Sequence, residues 1–300
     1  MRKPSHRSRA VVAVAAAALL GVAGCDVIRD ASPSPDSTQR KTKPSPTPTP
    51  AWDSSPASMA AVGDSITRGF DACSVLSDCP EVSWATGTAT DVNSLAVRLL
   101  GASRAATRSW NYAVTGARMA DLPAQMTKAA VHKPALVTVM AGANDACRAS
   151  AAEMTSVDGF RASFQEALRT LRTAAPKSQV YVTSVPDLKR LWSRGRTSPM
   201  GRAVWKLGIC PSMLADSDAV DSAATARRDE VQGRVEAYNS VLEDVCAADR
   251  LCRFDGGAVF DYEFGTAQLS RWDLFHPSRN GQARLAEIAY RGVTARKAVT

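Results

Sequence analysis

A serine that follows a short apolar run is the first residue of the sequence that could carry out covalent chemistry. Residues 63–65 read Gly-Asp-Ser, after the apolar residues 59–62 and before Ile-Thr-Arg-Gly at 66–69. This order predicts that Ser65 lies where a strand ends and a helix begins. The unpaired N–H groups of a helix start stabilise negative charge, so the location suits a nucleophile. The segment does not follow the G-x-S-x-G pattern of α/β-hydrolases.

Three later segments offer the partners that such a serine would need. Residues 111–117 (Asn-Tyr-Ala-Val-Thr-Gly-Ala) place Gly116 after an apolar stretch, where its N–H can approach a ligand closely. Residues 142–145 (Gly-Ala-Asn-Asp) place Asn144 after a strongly apolar run, and residues 273–277 (Asp-Leu-Phe-His-Pro) lie near the C-terminus. A serine needs a base to take its proton and donors for the negative charge of a tetrahedral intermediate.

The small number of histidines limits which residue could act as the base for Ser65. The sequence contains only His6, His132 and His276, and His6 belongs to a segment that we expect to be removed. His132 precedes a strand-like run and is therefore expected at the edge of the sheet opposite to where α/β sites form. His276 is the candidate base. Asp273, three residues earlier, is the candidate that orients the imidazole, although a main-chain carbonyl could do so in its place.

The elements that would position these residues alternate between strands and helices. Short apolar runs at 59–62, 135–140 and 180–185 predict buried parallel strands. Apolar residues recur at helical spacing in two stretches: Phe160, Phe164, Leu168 and Leu171, and Val231, Val235, Tyr238, Leu242 and Val245. The alternation predicts a doubly wound α/β fold whose ligands bind at the carboxyl ends of the strands.

The four blocks, in this order and at these separations, resemble the SGNH (GDSL) hydrolase superfamily over nearly all of residues 57–295. The resemblance implies a three-layer α/β/α sandwich with a mainly parallel, flavodoxin-like sheet. It implies that Ser65 attacks an acyl carbonyl, that His276 removes the serine proton and that Asp273 orients His276. The N–H groups of Ser65 and Gly116 and the side-chain amide of Asn144 would form the oxyanion hole.

Finer features of the resemblance bear on the substrate. Residues 83–87, 111–116 and 120–125 resemble the phospholipase B-like part of the superfamily, and the six cysteines near the site blocks resemble secreted actinobacterial lipases and esterases. Both imply a serine esterase acting on acyl esters, with lipid or phospholipid esters favoured. A carbohydrate O-acetylesterase uses the same machinery and stays open as an alternative. A noncatalytic ligand-binding lipoprotein is the second alternative.

The N-terminal 24 residues are predicted to be a signal peptide. A basic stretch at 1–9 precedes an apolar run at 10–24, which is short of the roughly 20 residues that span a bilayer. The run ends in Val-Ala-Gly-Cys, which resembles a lipobox, so we expect a lipid on Cys25; an ordinary cleavage site is the alternative. The protein is then exported, and either anchored at the outer face of the cell membrane or secreted.

Residues 25–56 would link that anchor to the folded domain. They are dense in Ser, Thr and Pro and lack hydrophobic periodicity, which predicts a disordered, extended tether. The hydrolase domain is expected at 57–300. The segment from 187 to 229, with Trp192 and Trp205, predicts a lid or a wall of the acyl site. A peripheral excursion with its own small core is the competing interpretation.

The cysteines predict disulfides, not a metal site. With Cys25 assigned to lipid, six of the seven cysteines remain in an oxidising compartment. Six cysteines allow 15 connectivities. Since two pairs are each separated by six positions, local pairing is the simplest hypothesis and gives Cys73–Cys79, Cys246–Cys252 and, by elimination, Cys147–Cys210. No C-x-x-C motif or histidine cluster accompanies them, so no metal is expected.

The charge distribution does not favour a nucleic-acid partner. The formal charge of the 300 residues is +8, but Arg2, Lys3, Arg7 and Arg9 supply half of it and belong to the predicted signal peptide. The remaining basic residues are scattered, and the aromatic residues lack a stacking pattern. No dinucleotide fingerprint or phosphate loop is present, so we expect no cofactor. We expect a monomer.

Overall fold

The computed structural model describes residues 52–296. The predicted signal peptide, Cys25 and residues 26–51 of the predicted tether lie outside the described residues, as do residues 297–300. Between 52 and 296 there is no helix whose length and apolar character would let it cross a membrane.

Five parallel strands form one sheet in the order β2-β1-β3-β4-β5. Their bounds are β1 Met59–Gly63, β2 Ser109–Asn111, β3 Leu136–Met140, β4 Gln179–Val182 and β5 Cys252–Phe254. The predicted strands at 59–62, 135–140 and 180–185 correspond to the three central strands. They are fully buried, which explains their continuous apolar runs. The flavodoxin-like parallel sheet predicted for the chain is confirmed.

Helices cover both faces of this sheet. The α-helices are α1 Ser65–Arg68, α2 Leu95–Leu100, α3 Ala102–Arg108, α4 Leu122–Ala130, α5 Ala143–Ala146, α6 Val157–Ala174, α7 Leu188–Gly195, α8 Pro199–Trp205, α9 Pro211–Leu214, α10 Ser222–Ala247, α11 Ala258–Asp261 and α12 Arg279–Thr294. Short 3₁₀ turns lie at Pro80–Val82, Met119–Asp121, Ala151–Glu153 and Thr266–Gln268.

The alternation of side chains along β1 divides the core into two layers. Ala60 and Val62 pack in a cluster with buried residues of α4, α6 and α10. Met59 and Ala61 point to the opposite face and pack with residues of α2, α3 and α12. The domain is therefore an α/β/α sandwich of three layers, as predicted.

The two edge strands were not predicted from the sequence. Each has three residues and is only partly buried, so neither produces an apolar run or a clear alternation. Each edge strand is placed by pairing with one neighbour: β2 pairs with β1, and β5 pairs with β4.

The segment 187–229 contains three short helices, α7, α8 and α9, and the first turns of α10. Trp192, Trp205, Met213 and Leu214 are buried in the main core and not in a separate small one. The six cysteines pair as Cys73–Cys79, Cys147–Cys210 and Cys246–Cys252. The second of these bonds ties the segment to the residue that follows α5.

Contacts between the N-terminal chain and the domain begin at Trp52. The indole Nε1 of Trp52 donates to the Val293 carbonyl over 2.8 Å, and the Arg253 guanidinium lies 4.3 Å from the indole centroid. The Asp53 N–H donates to the side-chain oxygen of Gln179, and the Gln179 side-chain amide donates to the Asp53 carbonyl. The chain therefore reaches the domain at the amino end of β4. This is the end of the sheet where the strands begin, opposite to their carboxyl ends.

One glycine is required by close packing at the end of β1. Gly63 has a φ of 146°, which disfavours any L side chain, and a Cβ atom there would collide with the carbonyl oxygen of Met140. Gly233 is exposed in the middle of α10, and a Cβ atom there would meet no atom within 4 Å. The same substitution should have opposite effects at these two positions.

We expect Gly63→Ala to lower the free energy of unfolding by roughly 3 kcal/mol or more, because the backbone of β3 must shift. Gly233→Ala should raise it by up to about 1 kcal/mol, because alanine favours the helix. Urea unfolding of the two variants beside the wild-type protein measures both changes. Similar unfolding midpoints for Gly63→Ala and wild type would contradict the close approach at Gly63.

Candidate active site

The candidate nucleophile lies at the turn from β1 into α1, as its position in the sequence predicts. β1 ends at Gly63, and Ser65 is the first residue of α1. Asp64 caps this helix, because its Oδ1 accepts the Ile66 N–H over 3.0 Å. The Ser65 N–H therefore belongs to the first turn, where no intrahelical acceptor exists.

Three amide side chains hold this turn, and the sequence analysis assigned this role to none of them. Gln125 of α4 accepts the Gly63 N–H over 2.7 Å and donates to the Gly63 carbonyl over 2.9 Å. Gln282 of α12 donates to the Ile66 carbonyl over 2.8 Å, and Asn111 of β2 donates to the Thr67 carbonyl over 2.9 Å. Elements from both faces of the sheet thus fix the backbone on each side of Ser65.

The structure brings Ser65, His276 and Asp273 together. The Nε2 of His276 lies 2.8 Å from the Ser65 Oγ, and its Nδ1 lies 2.5 Å from the Asp273 Oδ2. With the Nδ1 proton donated to the carboxylate, Nε2 is free to accept the serine proton. The other oxygen of Asp273 accepts the backbone N–H groups of Phe275 and His276, over 2.8 and 3.0 Å.

The carboxylate of Asp273, and not a main-chain carbonyl, lies against the imidazole. The carbonyl oxygen of Asp273 instead accepts the indole N–H of Trp205 over 2.9 Å. Burial alone would raise the pKa of Asp273, but its hydrogen bond and charge interaction with His276 outweigh burial and hold this pKa below its ordinary value. Asp273 is therefore a charged partner for the imidazole.

The predicted oxyanion donors follow two neighbouring strands: Gly116 lies on the loop after β2, and Asn144 lies in α5, after β3. The chain after β2 continues alongside β1, since the Val114 N–H donates to the Gly63 carbonyl over 3.1 Å. Gly116 follows with a φ of 83°, and its N–H has no acceptor within residues 52–296. The side-chain amide of Asn144 donates to the Ala117 carbonyl over 3.0 Å, which orients it beside this loop.

Asp71 is a second carboxyl group beside Asp273 and His276, and the sequence analysis did not identify it. One carboxylate oxygen of Asp71 lies within 4.8 Å of an Asp273 carboxylate oxygen and a His276 ring nitrogen. Burial, together with the negative charge of Asp273, raises the pKa of Asp71 to about 6. Aspartate is common in loops, so its type and position carried no signal.

Two further buried acids surround the site. Burial raises the pKa of Asp64 to about 7, and it also raises the pKa of Asp145. Asp145 accepts the Met119 N–H over 2.9 Å and so ties α5 to the 3₁₀ turn before α4. In each of these two carboxyl groups, one oxygen has no hydrogen-bond partner among the described residues.

His132 lies outside this site, as the sequence predicted. It is exposed, and its ring stacks on Trp110 with centroids 4.0 Å apart. The Tyr112 hydroxyl lies 2.6 Å from its Nε2.

Two groups of possible metal ligands occur within residues 52–296. Asp71, Asp273 and His276 form one, but the imidazole is already engaged with Asp273 and Ser65. Cys73, Cys79 and Glu81 form the other, and both of these cysteines are in a disulfide. The contacts of both groups are therefore explained without a metal ion.

A small apolar cavity is lined in part by residues that are next to Ser65, Asn144 and His276 in the chain. Its volume is about 30 Å³, and its wall includes Ile66 and Ala143, the neighbours of Ser65 and Asn144 in the chain. Leu188 and Leu191 of α7 form another part of the wall, and Phe275 closes it beside His276. The cavity therefore brings apolar side chains from beside three candidate site residues into one space.

The raised pKa of Asp64 predicts a pH-dependent stability. Its pKa is about 7 in the folded protein and close to 3.8 in the unfolded chain. The stabilisation is therefore fully present below pH 3.8 and is lost as the pH rises towards 7. Relative to Asp64→Asn, which keeps the acceptor for the Ile66 N–H, wild type should lose about 4 kcal/mol between pH 3.5 and pH 8.

Urea unfolding of both proteins across this pH range measures the difference. Taking the difference between the two proteins removes the contributions of titrating groups that do not interact with Asp64. A difference in unfolding free energy that stays constant with pH would show that the pKa of Asp64 is the same in the folded and unfolded states.

A family model described as GDSL-like Lipase/Acylhydrolase matches residues 59–289. No curated protein matches the chain. Among solved structures, the chain is similar to the extracellular lipase of Streptomyces rimosus, with 18% identity, a TM-score of 0.44 and coverage of 80% of this chain and 100% of that one. It is also similar to phospholipase A1 of Streptomyces albidoflavus, with 19% identity, a TM-score of 0.43 and the same coverage of both chains.

A third similar structure is LAE5, described as an α/β hydrolase from the metagenome of Lake Arreo, with 18% identity and a TM-score of 0.48. It covers 79% of this chain and 94% of that one. The family model spans all five strands of the sheet and all the residues of the candidate site. The chain therefore belongs to the GDSL-like lipase/acylhydrolase family and is an ester-hydrolysing enzyme.

Proposed function

We propose that this enzyme is a serine esterase that cleaves lipid or phospholipid esters through an acyl-serine intermediate. The observation that carries the proposal is the continuous line of hydrogen bonds from Asp273 through His276 to the Ser65 hydroxyl. Serine alone is a weak nucleophile, and an imidazole oriented by a buried carboxylate is the arrangement that activates it.

The geometry supports a two-step reaction. The Nε2 of His276 takes the Ser65 proton as the Oγ attacks the acyl carbonyl, and the resulting imidazolium faces the carboxylate of Asp273. The carbonyl oxygen, now negative, is bound by the N–H groups of Ser65 and Gly116 and the amide of Asn144. His276 then gives its proton to the departing alcohol. In the second step a water molecule loses a proton to His276 and attacks the acyl carbon. The bond from the acyl carbon to the Ser65 Oγ then breaks, His276 returns the proton to the Oγ, and the acid leaves.

The wall of the apolar cavity supports an acyl substrate. The predicted acyl-wall segment 187–229 contributes Leu188 and Leu191 to it, opposite Ile66. The bond between Cys147 and Cys210 fixes this segment three residues after Asn144. An apolar chain leaving the reacting carbonyl therefore enters a space lined by aliphatic and aromatic side chains, and longer chains need α7 to move outward.

The volume of that cavity favours a second candidate. A space of about 30 Å³ holds little more than one small apolar group. A carbohydrate O-acetylesterase, whose acyl group is a single methyl carbon beyond the carbonyl, would use the cavity as it stands.

The cellular location of the enzyme is inferred from its N-terminal sequence. We propose that residues 1–24 export the chain and that lipid on Cys25 anchors it to the outer face of the membrane. Residues 25–56 form the tether, whose last residues, from Trp52, contact the domain. Residues 53–55 are exposed and the chain meets the domain at the amino edge of the sheet. This arrangement leaves the carboxyl edge, where Ser65 lies, free to approach a substrate.

Ser65→Ala should lower kcat/KM for ester hydrolysis by about 10⁴-fold or more, with unchanged unfolding free energy within about 1 kcal/mol. The panel consists of p-nitrophenyl acetate, butyrate and palmitate, a phospholipid and an acetylated xylan. His132→Ala is the matched control, because it removes a histidine outside the site. Activity that rises with acyl length supports the lipid esterase, activity confined to acetyl groups supports the second candidate, and equal turnover by Ser65→Ala and wild type contradicts both.

Asp71 predicts a specific pH profile for the same reaction. Above pH 6 its carboxylate adds a second negative charge within 4.8 Å of the His276 ring and favours the protonated imidazole, which cannot act as a base. Asp71→Asn removes this charge and keeps an acceptor for the Leu76 N–H. We expect the acid limb of kcat/KM to move to lower pH by about half to one unit.

The control for this prediction is Asp244→Asn, which removes a charge from α10 where Asp244 pairs with Arg161. Asp64 and Asp273 also interact with the charge of His276, and both remain in the variant. Superimposed acid limbs for Asp71→Asn and wild type would show that Asp71 has no electrostatic effect on the base.

A further inference from the structure

The candidate acid and base lie on a turn whose backbone is strained. Leu274, which follows Asp273, has a φ of 50°, a left-handed conformation that is unfavourable for a residue with a large side chain. Only in this turn do the N–H groups of Phe275 and His276 both reach the Oδ1 of Asp273 while its Oδ2 meets the imidazole. A strained residue of this kind persists only where its surroundings hold it.

Two sets of contacts hold the turn. The chain just before it supplies the first, because the Leu274 N–H donates to the Ser270 carbonyl over 2.8 Å and the Ser270 N–H donates to the His276 carbonyl over 2.7 Å. Neither of these bonds involves the carbonyl of Asp273. That carbonyl accepts the indole N–H of Trp205, at the end of α8, over 2.9 Å, and no other group of residues 52–296 donates to it.

Two glycines let α7 and α8 pack directly on these groups. Trp205 is buried, and a Cβ atom at Gly195, the last residue of α7, would lie 2.4 Å from its ring. A Cβ atom at Gly201 of α8 would lie 2.9 Å from the Cδ1 of Leu274. The indole and the strained residue are therefore enclosed by the same two helices.

The identity of the acceptor gives the indole more than a packing role. A buried tryptophan needs some acceptor for its N–H, and any carbonyl nearby would satisfy it. The carbonyl of Asp273, however, belongs to the peptide group that joins Asp273 to Leu274. Rotation of this peptide group is the movement that would return Leu274 to an ordinary, negative φ, and it would turn the carbonyl away from Trp205. The indole N–H therefore opposes the relaxation of the strained residue.

We propose that Trp205 is a positioning residue of the reaction, whose indole N–H locks the peptide group after Asp273 and so keeps the carboxylate against the imidazole of His276. Trp205 acts through Asp273 and takes no part in the proton transfers. Without its hydrogen bond the turn relaxes, and the carboxylate no longer meets the Nδ1 of His276 and the two backbone N–H groups together. This inference rests on the proposed function, in which His276 is the base.

The test removes the indole N–H and keeps an aromatic ring in its place, which Trp205→Phe does. Trp192→Phe is the matched control, because Trp192 of α7 is also buried and donates its own N–H to the carbonyl of Ser217 over 3.0 Å, away from the turn. Gly195→Ala is a second route, since the added Cβ displaces the Trp205 ring and leaves the indole itself unchanged. Urea unfolding first establishes that each variant is folded.

Two readouts report on the turn separately from overall stability. Steady-state hydrolysis of p-nitrophenyl acetate separates kcat from KM. The proton NMR resonance of the His276 Nδ1–H, which a short hydrogen bond to a carboxylate moves far downfield, reports the contact with Asp273 directly. We expect Trp205→Phe and Gly195→Ala to lower kcat by about tenfold with KM within about twofold, and to move this resonance upfield or broaden it by exchange with water. Trp192→Phe should change kcat by less than about twofold and keep the resonance.

A folded Trp205→Phe protein with the kcat and the resonance of wild type overturns the proposal. Equal losses of kcat in Trp205→Phe and Trp192→Phe also overturn it, because the segment then acts only through its general stability. Where Trp205→Phe does not fold, Gly195→Ala decides between the same outcomes.

The resonance separates this proposal from the proposed function, because it is measured without turnover. Its loss in Trp205→Phe but not in Trp192→Phe, with no ester turnover by any of the proteins, supports the positioning role and contradicts the esterase. Turnover that depends on Ser65 and is unchanged in Trp205→Phe supports the esterase and contradicts the positioning role.

Discussion

The site depends on one constraint, which is that β1 must pass directly into α1 at the centre of the sheet. The turn leaves no room for a side chain at Gly63, since the Met140 carbonyl of β3 occupies that space. It places the Ser65 N–H and hydroxyl at the open start of a helix. Three amide side chains, of Gln125, Gln282 and Asn111, form hydrogen bonds with the backbone of the turn. The turn is therefore rigid although it is not part of a long helix or strand. The other candidate catalytic groups are arranged around this fixed point.

Burial then decides which acids near Ser65 carry charge. Four carboxyl groups, of Asp64, Asp71, Asp145 and Asp273, lie in or beside the site, and four ionised groups so close together would repel one another strongly. Burial raises the pKa values of the first three, whereas the hydrogen bonds of Asp273 with His276 and with two backbone N–H groups lower its own. Below pH 6 the negative charge is therefore concentrated on the carboxylate that contacts the imidazole, and above pH 6 Asp71 adds a second charge.

The sequence predicted those parts of the molecule that are determined by local pattern. The three central strands are apolar because both of their faces are buried, and Ser65 is flanked by signals of a strand end and a helix start. The edge strands and Asp71 could not be predicted, because short half-buried strands lack a period and an aspartate in a loop resembles any other. The same holds for Gln125 and Gln282, whose roles depend on contacts between residues 62 and 216 positions apart.

The two walls of the site differ in how they are held, and this difference has consequences for substrate entry. Loop 71–79 is closed by its own disulfide and by bonds between Asp71 and its neighbours, so it is rigid by itself. The segment that carries α7 and α8 is instead tied covalently at Cys210, which is bonded to Cys147. Elsewhere it is held by packing of Trp192 and Trp205 and by their hydrogen bonds to the carbonyl oxygens of Ser217 and Asp273. Packing contacts can rearrange at a cost that an entering acyl chain repays by its own burial, whereas a covalent bond cannot. Any enlargement of the small cavity must therefore come from the side of α7, with Asn144 held in place by the same bond that limits the movement.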